Sequence, residues 1–465
     1  MISPTAVNRI RFIFWAILVF LISQILGLSP VIPITLLALT AYLKFFYSDL
    51  ESKNYNLLNL VFLFVIIFAY SYLVIRKGLS VQYITFAAMP MLVTILFNEL
   101  QLSLLFNLAA SVTIASVANN NFGLAVLFLI SGILSSILVF GARKRSVIIR
   151  AGFIIGALQA MMLFLINRFR PQDPSRYLFF MLNGIASSIV VLGILPIFEY
   201  LFKTVTNISL LELADFNHPL LQRLILEAPG TYHHSIVVGN LSEAACQAIG
   251  ANALLARIGA YYHDIGKLQK PEYFSENQAI EQSKHDSLSP TISKMVIMHH
   301  VKEGVELARK SKLNALLIDF ILQHHGTSLV YYFYCRALEN QEKGQEIKEE
   351  GFRYPGPKPK TKETAIVLLA DSVEAAARSL KEATPANIEE VVHKIINNKF
   401  IDGQLDECDL TLKDLERIAS IFIRILSGIY HNRIIYPEIA KGENNHKKSA
   451  KENSHPSDED KKSSS

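Results

Sequence analysis

Apolar positions dominate the first 203 residues in long blocks, and beyond them apolar and polar positions alternate with helical spacing. A bilayer core about 30 Å thick is crossed by roughly 17–25 apolar residues in a helix. Blocks near that length fall at about 10–28, 31–47, 57–75, 81–97, 101–118, 123–140, 148–166 and 177–202, divided by short polar breaks. One such block is compatible with a buried soluble helix, but eight in succession predict a polytopic transmembrane bundle. Asn107, Gly132, Ser135, Ser136, Gly156 and Asn183 lie within these blocks and suit close helix–helix packing in lipid. Lone charges such as Lys44 and Glu99 sit near block ends, and none lies deep in a span, which argues against an ion pathway.

After residue 203 the period is that of helices. Ile236, Val237, Leu241, Ala244, Ala245 and Ala248 form one stripe, and Leu254, Leu255, Ile258 and Tyr262 a second. Further stripes run through Leu316, Leu317, Phe320 and Ile321, and through Ala365, Ile366, Leu369, Ala370 and Val373. No run alternates in the manner of a strand, so the chain is expected to be all-α. Residues 336–362, charged and rich in Gly and Pro, predict an inserted loop. Residues 204–230 carry Leu210, Leu211, Leu213, Phe216, Leu220 and Leu221 and read as an amphipathic connector or the opening helix of the second domain. Residues 442–465 lack apolar content and predict a disordered tail. The expected organisation is a membrane domain over 1–203, a connector over 204–230, a helical domain over 231–441 and the tail.

Composition sharpens this division. Charged residues make up 18% of the chain and hydrophobic ones 51%, against about a quarter charged in ordinary soluble domains. Residues 1–203 hold 14 Lys/Arg and 5 Asp/Glu, and residues 204–465 hold 31 and 35. The basic excess thus belongs to the membrane half, and the net-negative second half excludes nucleic acid as a partner. Arg143, Lys144 and Arg145 form the densest basic cluster, which places that loop, the N-terminus and everything after 203 in the cytoplasm. The loop with Arg168, Arg170 and Arg176 then falls outside, against the rule. Cys246, Cys335 and Cys408 have no metal-type spacing and indicate a reducing compartment without disulfides.

The candidate chemistry rests on histidine. All 13 histidines lie between His218 and His455. His233-His234, His263-Asp264, His299-His300 and His324-His325 fall within 231–325, and Asp371 sits on an apolar helical stripe. Burying so many imidazoles and a carboxylate uncompensated costs several kcal/mol, and metal ions would satisfy them. Imidazole and carboxylate ligands without thiolates point to Mn, Fe or a similar ion. In His263-Asp264-Ile-Gly266-Lys267 the glycine lets the chain leave a helix end, one carboxylate can bridge two ions, and Lys267 stands near any anion bound there. Two metals about 3.5–4 Å apart suit in-line phosphoryl displacement.

The order of these motifs resembles HD-superfamily phosphohydrolases, and more closely the 7TM-HD (PgpH-type) cyclic-di-AMP phosphodiesterases. Ala228-Pro-Gly-Thr-Tyr-His-His-Ser235, Tyr261-Tyr-His-Asp-Ile-Gly-Lys267 and His300-Val301 carry the resemblance. So do Gln323-His-His-Gly-Thr327, Phe352-Arg-Tyr-Pro-Gly-Pro-Lys358 and Ala370-Asp-Ser-Val-Glu-Ala375; it covers about 55–440. It implies an all-α fold, a transmembrane bundle followed by a cytoplasmic HD domain in a bacterial plasma membrane. It also implies hydrolysis of cyclic di-AMP to pApA by a hydroxide bridging two divalent ions. By position, His234, His263, Asp264 and Asp371 would hold one ion and Asp264, His300, His324 and His325 the other. His233 and His299 are left as non-ligands. Lys267 would offset charge on the phosphorane. Arg353, Lys358, Lys360 and Arg378 are candidates for nucleotide contacts, and Phe352 or Tyr354 for stacking on adenine. The alternatives are a hydrolase of cyclic di-GMP, an alarmone or a dNTP, and a membrane receptor that binds nucleotide without cleaving it. Family members place a large extracytoplasmic domain after the first span, whereas only Ser29-Pro-Val-Ile-Pro33 stands there, so no such sensor is expected. Neither the signal nor the oligomeric state is legible.

Overall fold

The computed structural model describes residues 29–46, 57–167, 173–278, 283–341 and 347–430. Among them the chain is helical, with no strand and one isolated bridge between Leu329 and Arg353. The block expected at 10–28 and the tail at 442–465 lie outside the described residues. Among the described residues five helices are long and apolar enough to cross a bilayer: Leu57–Arg76, Leu100–Val117, Phe122–Val139, Arg145–Ile166 and Pro174–Phe202. Val31–Phe46 is shorter, with 16 residues.

The block expected as one span at 81–97 is broken. A 3₁₀ turn, Val81–Tyr83, precedes the ten-residue helix Ala88–Phe97, all of which is buried. Non-helical backbone at membrane depth survives only where protein satisfies its polar groups. Asn183 does so here: its side-chain amide donates to the carbonyls of Gln82 and Ile84 at 2.7 and 2.9 Å. Around this element the bundle is tightly packed. A Cβ on Gly184 would stand 2.3 Å from the Gly156 nitrogen, so only glycine permits the approach of Arg145–Ile166 to Pro174–Phe202. Ser103 hydrogen-bonds with Thr94 and Ser136, each at 2.8 Å, joining three helices inside the bundle.

The connector is built into the second domain. Its helices Asn207–Leu213 and Pro219–Glu227 bury Leu210, Leu220 and Leu221 with Leu254, Ile258, Tyr262, Leu317 and Ile321. The last membrane helix ends at Lys203 in the left-handed region (φ 54°). One oxygen of Glu199 then accepts from the Thr206 nitrogen (3.2 Å), the Thr206 hydroxyl (2.6 Å) and the Ser209 hydroxyl (2.7 Å). Arg145 makes a two-pronged ion pair with Glu212 at 2.8 and 3.1 Å, so the basic loop and the second domain share one end of the bundle.

The second domain wraps around Lys362–Arg378, where every residue from Thr364 to Asp371 is buried. A helix apolar on all sides belongs at the centre of its layer. Pro229–Ile249, Ala253–Tyr262, Ala315–Gln323, Pro385–Ile401 and Leu412–Ile429 pack against it. The described parts of 336–362 carry more regular structure than the loop expected. Helix Tyr331–Glu339 runs into it, a 3₁₀ turn spans Glu349–Phe352, and Phe352 is buried against Phe333 and Ala337. Tyr354 is anchored by its backbone nitrogen, which donates to the Ser328 carbonyl at 3.0 Å.

Candidate metal centre

Each candidate ligand is delivered by a helix or by the turn that ends one. His234 lies on Pro229–Ile249, which starts with proline at its first turn. His263 and Asp264 follow Ala253–Tyr262, a helix capped at its start by the Asn252 side chain, and lead into the 3₁₀ turn Ile265–Gln269. His300 lies on Pro290–Lys310, His324 and His325 follow Ala315–Gln323, and Asp371 lies on the central helix. Gly266 has a different reason from the helix exit expected of it. A Cβ there would stand 1.8 Å from the His300 carbonyl oxygen, so glycine allows the Asp264 turn to reach the helix carrying His300.

The side chains converge in two groups. His234, His263, Asp264 and Asp371 offer ligand atoms within 4.8 Å of one another, and so do His300, His324 and His325. Asp264 joins them. Its Oδ2 lies 3.1 Å from His263 Nε2 and 3.8 Å from His234 Nε2, while its Oδ1 lies 3.3 Å from His300 Nε2 and 3.6 Å from His324 Nε2. Asp371 reaches His234 Nε2 with Oδ1 at 3.0 Å and His325 Nδ1 with Oδ2 at 3.5 Å. His233 and His299 are exposed, and His299 pairs with Glu303 at 3.6 Å.

The imidazoles are oriented from behind. The Nδ1 atoms of His263 and His300 sit 2.6 and 2.5 Å from the carbonyls of Ala260 and Ile297, and His324 Nδ1 sits 2.9 Å from that of Ile321. A carbonyl only accepts, so Nδ1 carries the proton and Nε2 presents its lone pair to the centre. His234 Nδ1 meets the buried Glu374 carboxylate. Both His263 Nε2 and Asp264 Oδ1 are buried without a hydrogen-bond partner. Such orphaned atoms are costly unless a cation satisfies them.

Charge points the same way. Lys267 sits 2.7 Å from both Asp264 Oδ2 and Glu276 Oε1, while the Asp371 and Glu374 carboxylates flank His234. Burial works against ionising Asp264, but His263 and Lys267 outweigh it and hold the carboxyl well below its usual range. Asp371 is likewise held low against burial, by its hydrogen bond with His234 and by His325. Burial pushes His300 down to about 4 and His325 well below its ordinary value, so both rings are neutral donors. His234 is raised to about 9, against burial, by hydrogen bonds with Asp371 and Glu374. The donor set fits divalent ions: ionised carboxylates, the neutral His300 and His325 rings, and a His234 ring whose Nε2 proton a bound cation would displace.

The sequence-predicted ligands all come together. The nucleotide candidates are more scattered. Arg353 pairs with Asp402 at 2.7 Å and Glu349 at 2.6 Å, Lys358 with Asp406 at 3.2 Å, and Arg378 lies 3.9 Å from Glu374. Lys360 is exposed. Phe352 packs away from the centre, whereas the Tyr354 ring covers His325 with centroids 4.3 Å apart. Sequence reasoning missed Glu374 and Glu276. Glu374 was legible as a second carboxylate one turn beyond Asp371 on an apolar stripe. Glu276 was not, since only the fold brings its irregular segment to Lys267.

Comparison with known proteins fits this architecture. Residues 16–206 match the family described as 7TM receptor with intracellular HD hydrolase, and residues 231–376 match the HD domain. The chain is 43% identical over 368 residues to the cyclic-di-AMP phosphodiesterase PgpH of Bacillus subtilis, covering 76% of this chain and 51% of that protein. It is 40% identical over 390 residues to PgpH of Listeria monocytogenes, covering 82% and 53% respectively. The chain therefore spans about half the length of the curated relatives it matches. A crystal structure of the L. monocytogenes PgpH HD domain in complex with cyclic-di-AMP is 48% identical, covers 46% of this chain and 99% of that one, and superposes with a TM-score of 0.45.

Proposed function

We propose, from the premise that this chain belongs to the 7TM-HD family, that it is a membrane-anchored phosphodiesterase hydrolysing cyclic di-AMP to pApA. The observation that carries the reading is Asp264, whose two oxygens face different ligand groups. In this reading His234, His263, Asp264 and Asp371 hold one ion, and Asp264, His300, His324 and His325 hold the second. Mn or Fe suits these ligands. Two such ions, when bound, supply Lewis-acid activation of water and neutralise charge on the phosphoryl oxygens.

The chain's own residues prepare the site. Lys267 fixes the bridging carboxylate and is itself held by Glu276, which accepts from the Thr231 hydroxyl at 3.2 Å. In this reading Lys267 orients Asp264 and adds positive charge beside the site. Phe274, whose ring lies 5.0 Å from Lys267 Nζ and edge-on to His300, limits water on one side, and Tyr354 does so over His325. Water adds at phosphorus and one P–O3′ bond breaks, leaving a linear dinucleotide with a 5′-phosphate. The domain faces the cytoplasm of a bacterial cell in this reading, supported by the basic loop at the bundle end that carries it.

The test offers the full chain, in detergent with Mn²⁺ or Fe²⁺, cyclic di-AMP, cyclic di-GMP, ppGpp and dNTPs separately. Preferential release of pApA is expected. Faster cleavage of another nucleotide would transfer the activity to it, and tight binding of cyclic di-AMP without cleavage would make the chain a receptor.

A further inference from the structure

A cyclic dinucleotide carries two phosphodiesters, and the metal centre addresses one of them. The second negative charge needs its own counter-charge, and the cations around the site are mostly committed. Lys267 is shared by Asp264 and Glu276, Arg353 is held by Asp402 and Glu349, and Lys358 pairs with Asp406. Lys399, in the last turn of Pro385–Ile401, differs. Its ammonium donates to the Ser328 hydroxyl at 2.7 Å and forms no ion pair with a carboxylate among the described residues. An ammonium has three donors, and one neutral partner leaves two unmet. The side chain is partly buried, and burial lowers its pKa while the Asp371 and Asp402 carboxylates act against that effect. Lys399 is also tied to the wall of the metal centre. Ser328 holds the Tyr354 nitrogen through its carbonyl at 3.0 Å, and the Tyr354 ring covers the His325 ring.

We propose that Lys399 binds the phosphate of the cyclic dinucleotide that is not being cleaved, making it a substrate-selecting residue and not a metal-site residue. The inference rests on the phosphodiesterase reading above. A partly buried ammonium with one neutral protein partner has donors left to offer, and an arriving phosphate oxygen would take them in a charge-assisted hydrogen bond. Such a contact favours a substrate with two phosphates over one with a single phosphate.

The experiment compares the full-length wild type, Lys399→Met and Lys399→Arg, loaded with metal, on cyclic di-AMP and on bis(4-nitrophenyl) phosphate, which has one phosphodiester. Metal content is measured alongside. For Lys399→Met the KM for cyclic di-AMP should rise about tenfold or more. Its turnover of bis(4-nitrophenyl) phosphate and its metal content should match wild type, and Lys399→Arg should restore most of the affinity. An unchanged KM in Lys399→Met overturns the assignment. So does a parallel loss on both substrates or a loss of metal, either of which makes Lys399 structural. A wild type that cleaves bis(4-nitrophenyl) phosphate but no cyclic dinucleotide overturns the cyclic-dinucleotide reading of the substrate, and the Lys399 assignment with it.

Discussion

Glu374 lies outside the proposed ligand set and orients one of its members. Its carboxylate is buried and accepts from His234 Nδ1, fixing the ring that presents Nε2 to Asp371 and Asp264. Outer partners of this kind are commonly worth 10–100-fold in metal affinity. Glu374→Gln should therefore weaken metal binding by about that factor in a competition titration with a chelator, while the fold survives. An affinity equal to wild type would remove Glu374 from the site. The histidines and Asp371 were legible in the sequence because they are rare residues in apolar surroundings. The direction of each ring was not, since it is set by carbonyls such as those of Ala260 and Ile297, which any sequence supplies.

At the scale of elements, the two ligand groups exist because the turn after Ala253–Tyr262 touches the helix Pro290–Lys310 at Gly266. Gly266→Ala would place a methyl group in the His300 backbone and force the two elements apart. A destabilisation of about 1–3 kcal/mol is expected from overpacking alone, with hydrolysis lost beyond what the stability change explains. Thermal unfolding and activity measured on one preparation separate these effects, and a fully active Gly266→Ala would contradict the packing argument. Helical periodicity identified most of these helices, but the break at 81–97 and the packing of Phe352 and Tyr354 escaped it. Both depend on distant partners, Asn183 for the first and Phe333 with Ser328 for the second.

For the whole molecule, the junction between the halves sets how membrane and metal centre are linked. Tyr262, the residue before His263, donates its hydroxyl to the Leu213 carbonyl at 2.7 Å, and Asn314 donates to that of Thr204 at 3.2 Å. Glu199 satisfies three donors there and Arg145–Glu212 is an exposed pair, so the two should differ in effect. Glu199→Ala is expected to cost about 1–3 kcal/mol, and Arg145→Ala less than about 1 kcal/mol. Limited proteolysis between residues 203 and 218 would report the difference, and equal susceptibility would refute it. The change in charge and histidine content falls where the last long apolar helix ends, whereas the packing of the helices after it was not legible. Removing divalent ions with a chelator should abolish hydrolysis and lower the unfolding temperature, because ions that bind only the folded state stabilise it. Mn²⁺ or Fe²⁺ should restore both, and a chelated protein with an unchanged unfolding temperature would argue against a metal centre here.

The central claim is that Asp264 joins two ions, and metal stoichiometry tests it most directly. Elemental analysis of the full-length protein, loaded with Mn²⁺ and freed of excess ion, should give about two ions per chain. Asp264→Asn should fall to one or fewer and release no pApA from cyclic di-AMP. Two ions retained in Asp264→Asn, or a wild type that cleaves cyclic di-AMP with a single ion, would contradict the account.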